Sequence, residues 1–144
     1  MAQRAVNVGA LPRGTLIYKT TEENLMVIST ENAEHYSWGD DCDGWHLVKS
    51  EMLSVISERV PPGCEEIRHY HLKSEQFFYV LSGIASLEVD GKTNLLKPQQ
   101  GLHVKAGKPH QLRNDQNYDL IFLVTSVPPS HGDRITTRNI EYKD

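Results

Sequence analysis

The sequence predicts an all-β domain, an antiparallel sandwich or barrel, on three observations. From about residue 52 onward, short β-branched and aromatic runs recur every ~8–12 residues between turn residues. No long stretch after residue 50 carries the 3.6-residue apolar period of a helix. One pair of runs is joined by Asp90-Gly91, two residues that tolerate positive φ and so mark a tight hairpin.

The elements follow in order. LSVISERV (53–60) is β-branched and stops at Pro61-Pro62-Gly63. EEIRHYHL (65–72) follows, then QFFYVL (76–81), closed by Ser82-Gly83. IASLEV (84–89) and TNLL (93–96) flank the hairpin turn, and Lys97-Pro98 ends the second of them. GLHVKAG (101–107) leads to Lys108-Pro109, HQLRN (110–114) runs to Asp115, and YDLIFLV (118–124) stops before Pro128-Pro129. Ahead of these, TLIYKT (15–20) and LMVIST (25–30) are candidates to extend a sheet, here or in a partner subunit. The reading is an N-terminal extension over 1–49, packed on the barrel or on a partner subunit, a barrel over 50–127 and a polar surface tail over 128–144.

Composition narrows the function classes. The 144 residues fit one domain with a real core, at 38% hydrophobic and 24% charged. A net charge of −4 argues against nucleic acid, which needs a concentrated basic face. No apolar run reaches the ~20 residues of a membrane span, and the N-terminus lacks the apolar core of a secretory signal. Cys42 and Cys64 show neither metal-type spacing nor a disulfide framework, so free thiols in a cytoplasmic protein are expected.

His69 and His71 stand one residue apart in an extended run, so both rings project to one face while Arg68 and Tyr70 project to the other. Neutral imidazole nitrogen is a good ligand for a divalent ion. Glu75 or Gln76, after the next turn, offers an oxygen, and His110 opens a strand after Lys108-Pro109. Strand alternation favours Gln76, which shares a face with Phe78 and Val80, over Glu75. Three nitrogens and one oxygen suit iron, manganese, nickel, zinc or copper, and ligand softness does not choose among them.

These residues resemble the cupin superfamily, specifically its small single-domain, RmlC-like members. The first cupin motif runs Gly, five residues, His-any-His, three or four residues, Glu, six residues, Gly. Here Gly63, His69, His71, Gln76 and Gly83 meet that spacing, with Gln in place of Glu. In the second motif, Gly107, His110 and Asn114 stand as in the family, whereas Lys105 replaces its proline and Gln99 its opening glycine. The resemblance implies a double-stranded β-helix, or jelly-roll barrel, with a divalent transition metal in its mouth held by His69, His71, Gln76 and His110. A neutral glutamine there implies a weaker-bound, more electrophilic ion, unless Glu75 takes its place.

Candidates for the surrounding pocket are Phe78, Val80, His103, Leu112 and Asn114, with His131 and Arg134 at the rim. Trp38 and Trp45 flank the Asp/Gly-rich stretch WGDDCDGWH (38–46), either as a lid over the mouth or as a tight turn covering the core edge. Arg68, Lys105 and Arg113 are candidates to bind an anion, or are solvated charge. The expected function is a metal-dependent enzyme acting on a small polar organic molecule by isomerase or lyase chemistry. Its rivals are an iron or copper dioxygenase, a non-catalytic ligand-binding sensor and a metal-free structural barrel. The expected partners are that small molecule and a second copy of the chain, with no nucleic acid and no membrane.

Overall fold

The computed structural model describes residues 26–137, among which the ordered elements are eleven strands. They are β1 (Glu34–Trp38), β2 (Cys42–Lys49), β3 (Ser54–Val60), β4 (His69–His71), β5 (Glu75–Ser82), β6 (Ala85–Val89), β7 (Lys92–Leu96), β8 (Gly101–Val104), β9 (His110–Arg113), β10 (Leu120–Val127) and β11 (Arg134–Thr136). Six form one sheet in the order β1-β2-β3-β10-β5-β8, and five form the other in the order β11-β4-β9-β6-β7. Every strand pairing is antiparallel.

Period-2 alternation drives both sheets to bury one face. On β10, Leu120, Phe122, Val124 and Ser126 point inward, and on β5 Gln76, Phe78 and Val80 do the same. Leu87 and Leu112, cross-strand partners on β6 and β9, close the core from the other sheet. The hairpin at Asp90-Gly91 forms as expected, with φ of 50° and 87°. Gly83 ends β5 at φ 83°, and a Cβ there would lie 2.6 Å from the Asp119 carbonyl oxygen, so only glycine lets the two chains pass.

Both flanks of the expected barrel contribute strands. Residues 34–49, expected as part of an extension, form the β1–β2 hairpin and add two strands beside β3. WGDDCDGWH is the turn and second arm of that hairpin. The segment expected as a surface tail supplies β11, whose Arg134, Ile135 and Thr136 pair with His71, Tyr70 and His69. Residues 26–28, part of a strand candidate, are exposed and outside any strand. The other candidate, 15–20, lies outside the described residues.

One seam is thin. Within the strands themselves the β11-β4 pair meets β9 at a single residue pair, His69 with His110, and the segment ahead of β4 adds a bridge from Glu65 to Arg113 and a bond from the Glu66 N–H to the Leu112 carbonyl.

Candidate metal centre

The fold delivers four residues to one place. His69 and His71 are the inward positions of β4, and His110 opens β9 directly opposite His69. Their ring centroids are 4.5 Å apart for His69–His110, 4.9 Å for His69–His71 and 5.8 Å for His71–His110. One ligating nitrogen from each can be chosen so that all three lie within 4.8 Å of one another.

The protons on two of these rings are fixed by carbonyls. His69 Nδ1 lies 2.7 Å from the Ile67 carbonyl oxygen and His110 Nδ1 lies 2.9 Å from that of Lys108. A carbonyl only accepts, so Nδ1 carries the hydrogen in both rings and Nε2 keeps a lone pair for the site. Burial pushes His69 down to about 3 and His71 down to about 4, and it lowers His110 as well. The neighbouring His110 ring adds to the depression of the other two. All three imidazoles are therefore neutral at neutral pH, the form that binds a cation.

Gln76 comes from the opposite sheet. Its side chain is buried beside His71, and its Nε2 donates to Ser126 Oγ at 3.0 Å. That bond turns the carbonyl oxygen Oε1 away from Ser126. Glu75 is on the outer face, with its side chain 60% exposed and its Oε1 3.1 Å from His103 Nε2. The strand's parity thus brings Gln76, and not Glu75, to the histidines.

The site leaves polar atoms stranded. Among the described residues, five buried side-chain atoms lack any hydrogen-bond partner, and four of them are His71 Nδ1, His71 Nε2, His110 Nε2 and Gln76 Oε1. A buried polar atom with no partner costs about 1–3 kcal/mol, so four side by side are expensive unless something binds them. Neutral imidazole nitrogens with one amide oxygen fit a borderline divalent ion such as iron, manganese, nickel, zinc or copper.

A cavity of about 220 Å³ opens beside this group and is lined by His69, His71, Gln76 and Phe78. Trp38 lines it too, so one of the two tryptophans reaches the mouth, as do His131 and Arg134 of the expected rim. The other expected pocket residues stand outside its wall. Val80 and Leu112 are core side chains, 0% and 1% exposed. Asn114 braces the backbone: its Nδ2 donates to the carbonyls of Val60 and Tyr118, and its Oδ1 accepts the Gln116 N–H. His103 faces outward in its pair with Glu75. Trp45 takes the outer face against His35, because its neighbour Gly44 takes the inner one. Arg68 and Arg113 are engaged in ion pairs with Glu88 and Asp115.

Sequence reasoning passed over Tyr36, Glu58, Glu66 and Ser126, all on the cavity wall. For Glu58 a signal existed, since it shares inward parity with Ile56 and Val60 in SVISERV. Glu66 lies outside any strand and carried none.

Comparison with known proteins agrees with this architecture. Residues 56–126, about half the chain, match the cupin domain family model Cupin_2. An uncharacterised protein of Methanocaldococcus jannaschii is 29% identical over 61% of this chain and 71% of its own length. A polyketide synthase protein, CurC, of Streptomyces cyaneus is 34% identical over 47% of this chain and 46% of its own. The quercetin 2,3-dioxygenase of Bacillus subtilis is 36% identical over 44% of this chain but only 19% of its own. In structure, the polyketide cyclase RemF of Streptomyces resistomycificus superposes with a TM-score of 0.70, covering 81% of this chain and 88% of its own at 16% identity. Among the described residues no helix is long and apolar enough to cross a membrane. With the two-sheet barrel, the paired histidine motifs and the matched segment all in agreement, the chain belongs to the cupin superfamily through the domain at residues 56–126.

Proposed function

We propose that this protein is a metal-dependent enzyme that acts on a small, oxygen-rich organic molecule by Lewis-acid chemistry. The ion is a divalent transition metal held by His69, His71, His110 and Gln76. The observation that carries the reading is the cluster of four unpartnered buried polar atoms on three of these residues, three of them lone-pair acceptors because neutral His71 keeps one N–H. The bound ion supplies electrophilic activation of a carbonyl or enol oxygen. All four donors are neutral, so they leave the ion's full charge available for that task.

The chain's own residues do the rest. Ser126 holds the Gln76 amide in place, and the Ile67 and Lys108 carbonyls fix the tautomers of His69 and His110. Phe78 and Trp38 give the cavity an apolar side that excludes water from a bound ring or chain. Isomerase and lyase reactions fit this site, and so does ring closure of a polyketide, the chemistry that the name of one structural neighbour points to. Elemental analysis of the purified protein tests the reading. One transition-metal ion per chain is expected, lost in the double variant His69→Ala/His71→Ala, and a metal-free parent protein refutes it.

A second reading is an iron or copper dioxygenase, favoured by the likeness to the quercetin dioxygenase segment. Oxygen uptake in the presence of a turned-over substrate separates the two, since turnover without uptake removes the oxygenase.

A homodimer and a cytoplasmic location belong to the same proposal. Phe77, Leu81 and Val127 point out from β5 and β10, 44%, 46% and 46% exposed, and give the six-stranded sheet an apolar outer face for a second copy. Light scattering should return about twice the 16.3 kDa chain mass, and a monomer refutes the pairing. Cys42 and Cys64 are free thiols, which suits a reducing compartment.

A further inference from the structure

Two carboxyl groups share the cavity with the histidines and have no task in the reading above. Glu58 stands on β3 at an inward-facing position, and Glu66 stands three residues before His69. Both line the cavity with His69, His71 and Gln76. Among the described residues, neither has a cationic partner at ion-pair distance. Each is held by one neutral donor: the Tyr36 hydroxyl donates to Glu58 Oε1 at 3.1 Å, and the Leu112 backbone N–H donates to Glu66 Oε1 at 3.0 Å. The second oxygen of each accepts nothing from a described residue and is not among the fully buried stranded atoms, so both remain accessible.

The other polar groups around them are few. Arg134 on β11 lies across the cavity, with its Nη2 donating to the Ile67 carbonyl at 3.1 Å. His131 and Ser130 come from the turn before it, and Ser126 comes from β10. A glutamine at position 58 or 66 would fill the same space without the desolvation cost of a carboxylate that no cation contacts at ion-pair distance. Carboxyls kept in such surroundings beside a ligand site point to chemistry.

We propose that Glu58 and Glu66 are the proton-transfer pair for a substrate bound at the histidine triad, a ketone or hydroxyketone that reacts through its enol. This rests on the Lewis-acid reading. One carboxylate removes a proton from the carbon next to the substrate carbonyl. The C–H bond breaks, its electron pair becomes a C=C π bond, the carbonyl π pair moves to oxygen, and the proton forms a new O–H bond on the glutamate. The second, protonated carboxyl then donates its proton to the carbon or oxygen where the product forms, so the pair ends with the proton count it began with. Burial prepares both to hold a proton near neutral pH. It pushes Glu58 up to about 7 and Glu66 to about 8, with the Glu58 charge raising Glu66 further, while Tyr36 draws Glu58 down, the Leu112 N–H draws Glu66 down and Arg134 lowers both.

The test uses two independent readouts on the full chain. Infrared difference spectra across a pH titration should show a protonated-carboxyl band that persists at neutral pH and shrinks in both Glu58→Gln and Glu66→Gln. In Tyr36→Phe that band should titrate at higher pH. Zinc-loaded protein in D2O should wash deuterium into the α-carbon of hydroxyacetone, and each Gln variant should slow this by about a hundredfold or more while holding as much zinc as the parent. A parent protein without the band at neutral pH, without exchange when zinc-loaded, or with exchange untouched by both variants overturns the proposal. A parent that binds no zinc strikes the metal reading instead, and the infrared band still tests the carboxyls.

Discussion

Gln76 decides the charge of the candidate ion site. Its amide is neutral, and the Ser126 contact fixes which end faces the histidines. Replacing it by glutamate keeps the length and adds a unit of negative charge beside the ion, where opposite charges attract strongly. Gln76→Glu is therefore expected to tighten zinc binding by about tenfold or more, because every 1.4 kcal/mol gained is a factor of ten. Competition against a coloured chelator measures it, and an unchanged or weaker affinity means that residue 76 does not touch the ion. That Gln76 and not Glu75 faces inward was legible in the sequence, since strand parity is a two-residue rule and Gln76 sits at the motif's spacing. The role of Asn114 was not legible. The family spacing marked it as part of the site, while its side chain is spent on the carbonyls of Val60 and Tyr118, one of them more than fifty positions away in the chain.

At the scale of elements, the loop between β4 and β5 is held from outside itself. Asp133 Oδ1 accepts the Leu72 N–H at 3.2 Å, and Oδ2 accepts those of Lys73 and Ser74 at 2.9 and 2.8 Å. That loop separates His71 from Gln76, so Asp133 fixes the spacing between two candidate ligands. The N–H groups of Ser74 and Lys73 hold the Asp133 carboxyl below the usual carboxylate range, so the grip survives to mildly acidic pH. Asp133→Ala is expected to weaken metal binding about tenfold, the lower end of what supporting partners contribute, and to speed amide exchange at residues 72–74. Undisturbed affinity with a loosened loop would separate the loop from the site. Asp133 and β11 escaped the sequence reading because RIT is too short to show alternation and its partner β4 lies over sixty residues earlier. The β1–β2 hairpin escaped for another reason: its inward residues on β2 are Cys42 and Gly44, too small to register as an apolar stripe. Gly44 is small because the Tyr36 ring lies over it, in space that a Cβ would fill. The strands from β3 to β10, with large inward side chains and turn residues between them, were all legible.

For the molecule as a whole, the half-buried carboxyls tie stability to pH. An exposed glutamate titrates near 4.5, while Glu58 and Glu66 do so at about 7 and about 8 in the folded chain. Between those limits the folded state binds more protons than the unfolded one, so stability falls as pH rises. The histidines act with the opposite sign. His69 and His71 stay neutral down to about 3 and about 4, against 6.5 when exposed, so stability is lost as pH falls below 6.5. Metal-free protein should thus be most stable at mildly acidic pH and lose about 5 °C or more of Tm on passing to alkaline pH. The double variant Glu58→Gln/Glu66→Gln should flatten that decline in scanning calorimetry. A parent curve that is already flat would place both carboxyls in contact with water.

The thin seam of the five-stranded sheet has a consequence of its own. β4 itself meets β9 at one residue pair, His69 and His110, both candidate ligands, while Glu65 and Glu66 ahead of it tie to Arg113 and Leu112. An ion held between them would act as a rivet through that stitch, and ligation by Gln76 would fasten it to the facing sheet. Drawn out by a chelator, it should leave the hydrophobic interior intact and free one corner, so that amides of β4 and β11 exchange early while those of β6 and β10 stay protected. The door to the cavity and the hinge of the barrel would then be one piece of chain.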